Sequence, residues 1–225
     1  MKKILLSITA VILIAYLGHW GTELYPFGDG VEEDAKRMEQ FYPGKKIQSG
    51  DIIFQTSRSS QSKAIQLATH SKYSHMGIIY ENEGDYFVYE AVQPIKLTPL
   101  ADWINRGENK HYTIKRLKNS EAVLTPETLK QMRSIGERFE GKNYDIYFEW
   151  SDDRIYCSEL VWKIYEEATG IEIGQLEELS SFDLSNEVVL QKMKERYGEN
   201  IPLNEKVISP SAMFNSEQLM TITQK

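Results

Sequence analysis

The chain is poor in cysteine: Cys157 is the only one among 225 residues. A single cysteine excludes an internal disulfide framework and a multi-cysteine zinc site. Other signatures are missing as well. There is no His-Glu-x-x-His pair and no calcium-loop pattern, so no metal site stands out and no cofactor is implied. No Gly-x-Ser-x-Gly elbow, internal repeat or low-complexity tract is present. Gly136 to Lys142 begins like a phosphate-binding loop. It then places Asn143 where a Ser or Thr would hold magnesium, and it follows a helical pattern rather than a strand. Basic residues are in deficit, with 26 Lys and Arg against 33 Asp and Glu. Nucleic acid is therefore not expected as a partner, because phosphate binding needs a clustered basic surface.

Long apolar runs are also scarce, apart from one at the start. In MKKILLSITAVILIAYLGHWG, two lysines precede a run from Ile4 to Leu17 interrupted only by Ser7 and Thr9. This is the layout of an export segment, with the positive end on the cytoplasmic side. No small-x-small cleavage site is evident near Gly18, no lipobox cysteine follows, and the run is slightly short for a span. Residues 1–20 thus read as either a signal peptide or a membrane anchor, with membrane association through residues 4–20. Either alternative puts the rest of the chain outside the cytoplasm, in a periplasm or at a cell surface. Residues 21–49 read as a linker: YPFGDG and YPGKK are turn chemistry around a short helical stretch. Residues 50–225 are long enough for one domain with its own core.

Within that domain, DIIFQTS, SHMGIIYE, YFVYEAV and HYTIKRL read as strands. Helical spacing appears in Ser59–Thr69 (capped by Ser59 or Ser60), Thr98–Arg106, Pro126–Phe139, Asp153–Thr169 and Glu187–Tyr197. A short helix capped by Ser209 starts at Pro210. NYDIYFEW is aromatic and extended or irregular. The sum is an α+β fold, an antiparallel sheet packed against helices.

Cys157 falls on the apolar face of its helix with Leu160, Val161, Ile164 and Ala168. Buried packing is one reading, since free cysteine behaves as a small hydrophobe. The other reading is chemical. In the first turn of a helix, unpaired backbone N–H groups and the helix dipole stabilise a thiolate. The N–H groups of Cys157 or Ser158 also suit a developing oxyanion. Asp152 and Asp153 oppose a thiolate unless they face solvent. Among the four histidines, His75 opens an apolar strand. If Tyr80 pairs with Asp85, or if Asn82-Glu83 forms a two-residue turn, His75 comes directly opposite Glu90. A three-residue loop spoils that match, and Glu90 is otherwise an edge-strand surface acid. Cys157, His75 and Glu90 then supply a nucleophile, a base and an orienting carboxylate.

GDIIFQTS, SKYSHMGIIYE, VYEAV and YCSELVWKIYEEATG together resemble the YiiX/YaeF-type permuted papain-like enzymes, relatives of NlpC-type cell-wall peptidases. The likeness spans about Gly50 to Phe214. It implies a circularly permuted papain-like fold, in which the histidine strand precedes the cysteine helix. It also implies Cys157 as nucleophile, His75 as base and Glu90 as the third residue. Tyr144 resembles a tyrosine that lines the site in such relatives, with packing as its other reading. The implied activity is a cysteine amidase or endopeptidase working through an acyl-enzyme, with peptidoglycan stem peptides as substrate. The alternatives are a lipid acyltransferase or thioesterase using the same triad, and a non-catalytic wall-binding relative.

Overall fold

The structure, a computed structural model, describes residues 47–225. The expected export segment lies outside the described residues, as does nearly all of the linker. Among the described residues no helix is long and apolar enough to cross a membrane.

The strands are β1 (Ile52–Gln55), β2 (His75–Asn82), β3 (Asp85–Glu90), β4 (Lys96–Pro99), β5 (Tyr112–Leu117), β6 (Asn143–Tyr144), β7 (Arg154–Ile155), β8 (Glu177–Glu178), β9 (Lys206–Val207) and β10 (Leu219–Gln224). Six of them form one antiparallel sheet in the order β10-β5-β1-β2-β3-β4. The helices are α1 (Ser62–Thr69), α2 (Leu100–Arg106), α3 (Ser120–Val123), α4 (Pro126–Glu137), α5 (Cys157–Thr169), α6 (Glu187–Tyr197) and α7 (Pro210–Phe214).

Strand alternation divides the core between the two sheet faces. Ile52, Phe54, Met76, Ile78 and Tyr89 point one way, into a cluster with Met132 of α4 and with Leu160, Val161 and Ile164 of α5. Ile53, Ile79, Val88 and Ile114 alternate onto the other face and are fully buried. A smaller cluster joins Ala64 of α1 to Val189 and Met193 of α6, with Leu179 and Val207. Ser209 caps α7, its hydroxyl accepting from the Ala212 N–H at 3.0 Å, and Gly170 ends α5 at φ +70°.

Several expectations need correction. Helix α1 starts at Ser62, and neither Ser59 nor Ser60 caps it. Ser59 is committed to a turn instead, its N–H donating to Ser57 Oγ at 3.0 Å. Thr98 and Pro99 belong to β4, and α2 begins only after Pro99, whose extended backbone stops the strand from coiling. Helix α5 begins at Cys157, not Asp153, because Arg154 and Ile155 pair in parallel with Asn143 and Tyr144.

The hairpin register also differs. Glu83 and Gly84 form the turn with φ of +54° and +94°, so Asn82 faces Asp85 and Tyr80 faces Phe87. Positive φ at both turn positions matches the twist of the strands, and glycine takes the second one without strain. The slip from the expected pairing is two residues, so every side chain keeps its face. Continuing the register puts Glu90 across from Gly77, one step diagonal to His75. A Cβ on Gly77 would lie 2.6 Å from the Tyr89 carbonyl oxygen and 3.4 Å from Glu90 Cβ. The bare glycine lets β3 approach closely beside the His75–Glu90 contact.

Candidate active site

Cys157 is the first residue of α5, so its own N–H and that of Ser158 belong to the four that a helix N-terminus leaves without intrahelical partners. The short parallel pair β6–β7 sets Tyr144 beside Ile155, two residues upstream of Cys157. The Tyr144 N–H donates to Gln93 Oε1 at 2.8 Å, which fixes that segment. Two bonds pin the start of α5. Ser158 Oγ donates to the Ile208 carbonyl at 2.7 Å, and the Ile208 N–H donates to the Tyr156 hydroxyl at 3.1 Å. The Ser158 hydroxyl is therefore committed, which leaves only its backbone N–H for an oxyanion.

His75, the first residue of β2, is 8 % exposed, and Cys157 is 2 % exposed. His75 Nε2 meets Glu90 Oε2 at 2.6 Å, which leaves its other nitrogen for Cys157. The ring stacks on Trp103 of α2 at 5.8 Å between centroids. Burial, the largest influence, disfavours the charged imidazole. The hydrogen bonds with Cys157 and Glu90 and their negative charge outweigh it and lift the His75 pKa to about 9. Glu90 is fully buried and accepts from three donors: His75, Thr98 Oγ1 at 2.6 Å, and Arg106 Nη2. Burial raises its carboxyl, but His75, Thr98 and Arg106 prevail and hold it below the usual carboxylate range.

Other groups condition the sulfur. The Tyr144 hydroxyl is in hydrogen-bonding contact with Cys157 and also accepts from Gln61 Nε2 at 2.9 Å. Burial, then the Cys157 charge, holds the phenol well above its ordinary pKa, so it stays protonated. Asp152 turns outward to Lys163 Nζ at 2.8 Å, and Asp153 is exposed. Glu159, buried in the first turn of α5, has its carboxyl pushed up to about 8 by burial, against the pull of Lys163 at 2.8 Å. It therefore adds little negative charge near the sulfur at neutral pH.

Beside Cys157, a small, partly open cavity of about 90 Å³ lies between α1 and α6. Ala64, Leu179, Leu184, Val189, Met193 and Val207 supply its apolar wall, with Lys192 and Arg196 among the lining residues.

The structure thus brings together Cys157, His75, Glu90 and Tyr144, with Ser158 contributing backbone. Thr98, Trp103, Arg106, Gln61 and Arg196 were not singled out in the sequence. Thr98 sat inside an expected helix, and no local pattern marks the others, which reach the site from separate segments. Among the described residues, no group of three or more His, Cys, Asp or Glu side chains converges to hold a metal ion.

An α+β fold that sets a cysteine helix end-on to a histidine strand fits the papain-like class. Residues 46–223 match the family described as permuted papain-like amidase enzyme, YaeF/YiiX, C92 family, and the chain belongs to that family. It is 51 % identical over 178 residues to the uncharacterized protein YiiX of Escherichia coli K12, covering 79 % of this chain and 87 % of that one. The crystal structure described as metalloprotein YiiX from Escherichia coli O157:H7 superposes with a TM-score of 0.75 at 51 % identity. It covers 79 % of this chain and 97 % of that one.

Proposed function

We propose that this chain is a cysteine acyl hydrolase whose substrate carries an apolar acyl group on an amide or ester. The observation that carries this reading is the apolar pocket opening directly onto Cys157. The Cys157 thiolate attacks the carbonyl. The first-turn N–H groups of α5 face the developing oxyanion. His75, charged up to about pH 9, protonates the leaving group. Neutral His75 then takes a proton from water, which hydrolyses the acyl-enzyme. Glu90, held ionised by its three donors, keeps the imidazole oriented and balances its charge. The apolar export segment supports a site of action outside the cytoplasm, at or near a membrane surface.

A second reading keeps the same chemistry for peptidoglycan stem peptides. Lys192 and Arg196 at the pocket favour it, because they suit peptide carboxylates. The apolar wall favours an acyl chain.

The test is incubation with N-acyl amides and diacyl lipids of graded chain length beside purified muropeptides, read by mass spectrometry. Release of fatty acid, absent in Cys157→Ala, is the expected result. Cleaved muropeptides with intact lipids would overturn the acyl-chain reading. No turnover and no labelling by a thiol-directed acyl probe would leave a binding module.

A further inference from the structure

We infer that Arg196 and Gln61 are positioning residues that set the direction of a hydrogen-bond chain, so that the Tyr144 hydroxyl points its proton at Cys157. The inference rests on the reading of Cys157 as nucleophile.

The chain runs across the pocket. Arg196 of α6 donates from Nη2 to Gln61 Oε1 at 2.6 Å. Gln61, just before α1, donates from Nε2 to the Tyr144 hydroxyl at 2.9 Å. All four residues line one pocket, and the Cys157 sulfur acts on the Tyr144 hydroxyl through its charge and a hydrogen bond. Direction follows from what each group can do. A guanidinium only donates. The oxygen of the Gln61 amide must therefore face Arg196, which turns its NH₂ toward Tyr144. An NH₂ group only donates, so the phenol oxygen accepts. Its single proton is left for its other neighbour, the sulfur. Reversing any link would bring two donors face to face.

Packing holds the origin of the chain in place. The Arg196 guanidinium lies over the Phe148 ring at 4.8 Å, and Phe148 stands edge-on to Tyr156 at 5.1 Å. Tyr156 immediately precedes Cys157. The Tyr144 proton never leaves its oxygen. It bonds to the thiolate before attack, and as the sulfur loses charge to the new C–S bond it turns to the carbonyl oxygen that gains it. Tyr144 touches the reacting atoms, whereas Gln61 and Arg196 act through it.

The experiment measures the second-order rate of acylation by a thiol-directed acyl probe, across pH, for Gln61→Glu, Tyr144→Phe and their double variant. In Gln61→Glu the new carboxylate still accepts from Arg196, but it cannot donate, so Tyr144 turns its proton away from the sulfur at almost unchanged volume. Losing a hydrogen bond to a charged group should slow acylation about 10- to 100-fold. Tyr144→Phe should do the same, and the double variant should be no slower than Tyr144→Phe alone. Arg196→Met should reproduce part of the loss, and Arg196→Lys, again a pure donor, should restore most of it. Should Gln61→Glu fail to fold, Gln61→Met, judged by the same cycle, takes its place. Wild-type rates in the Gln61 variant, or multiplication of the two single effects in the double variant, would overturn the chain. If wild type itself is unlabelled, or Cys157→Ala is labelled, it is the thiol-enzyme reading that fails.

Discussion

Cys157 separates two regions of opposite character. Toward the sheet the surroundings are mostly buried and polar: His75, Thr98 and Arg106 each bond to Glu90, a carboxylate with no exposure. Toward α1 and α6 the wall is mostly apolar, a packed cluster that leaves a small cavity beside Cys157. The difference teaches a division of labour. A buried charge network is stable only when every member is satisfied, so it can hold one geometry for one chemical step. An incompletely filled apolar cluster tolerates different occupants and selects by size. Changes on the polar side should alter the rate for every substrate, whereas changes on the apolar side should alter the choice among substrates.

The largest expected effect is at the chemistry itself. Cys157→Ala and His75→Ala should each lower turnover by about a thousand-fold or more for all acyl chain lengths, with probe labelling lost. A chain-length-dependent loss in either would blur the division.

Glu90→Gln should slow turnover roughly 100-fold without changing chain-length preference. It should also move the alkaline limb of the pH–rate profile, expected near 9 in wild type, to lower pH, because the amide no longer stabilises the imidazolium. An unmoved limb with full activity would remove Glu90 from the site. Stability should follow the same linkage. The folded His75 pKa is raised, so its contribution is complete below about 6.5 and lost as pH rises through about 9. Melting temperature should fall across that window in wild type and less so in His75→Gln.

Val189→Trp, on the apolar side, should fill the pocket. Each methylene denied burial forfeits about 0.8 kcal/mol, roughly a fourfold loss, so long chains should suffer and short ones should not. Equal loss for a two-carbon acyl group would mean that the pocket does not hold the acyl group.

The smallest effect sharpens the polar side. Gly77→Ala puts a Cβ 2.5 Å from Val88 Cγ1 and 2.6 Å from the Tyr89 carbonyl oxygen, which should destabilise the fold by about 1–3 kcal/mol in chemical denaturation. An unchanged midpoint would show that the strands do not need that close approach.

Much of the fold was legible where one strong local signal acts alone. The apolar strand that opens at His75, the helical face of α5 with Gly170 behind it, and the Ser209-Pro210 cap all appear where the local signals put them. What was missed depends on pairing at a distance. β4 and β10 are edge strands placed by the neighbours they pair with, and β7 displaces the start of α5 to Cys157 because Ile155 finds Tyr144. That shift makes Cys157 the first residue of the helix, within the first turn where its N–H groups are unpaired.

By itself, the sequence determined the residue types available for chemistry and the faces they occupy. One cysteine, a histidine at a strand start and a glutamate on the returning strand follow from periods of 3.6 and 2, which are properties of the backbone. Parity even survived the two-residue slip in the hairpin. Tertiary structure alone decided the rest: that Cys157 meets His75, that Thr98 and Arg106 keep Glu90 charged, and that α1 packs on α6 beside the site. These depend on contacts between segments as far apart as the 135 residues that separate Gln61 from Arg196. No local propensity reaches that far, because such contacts are selected by the packing of the whole core.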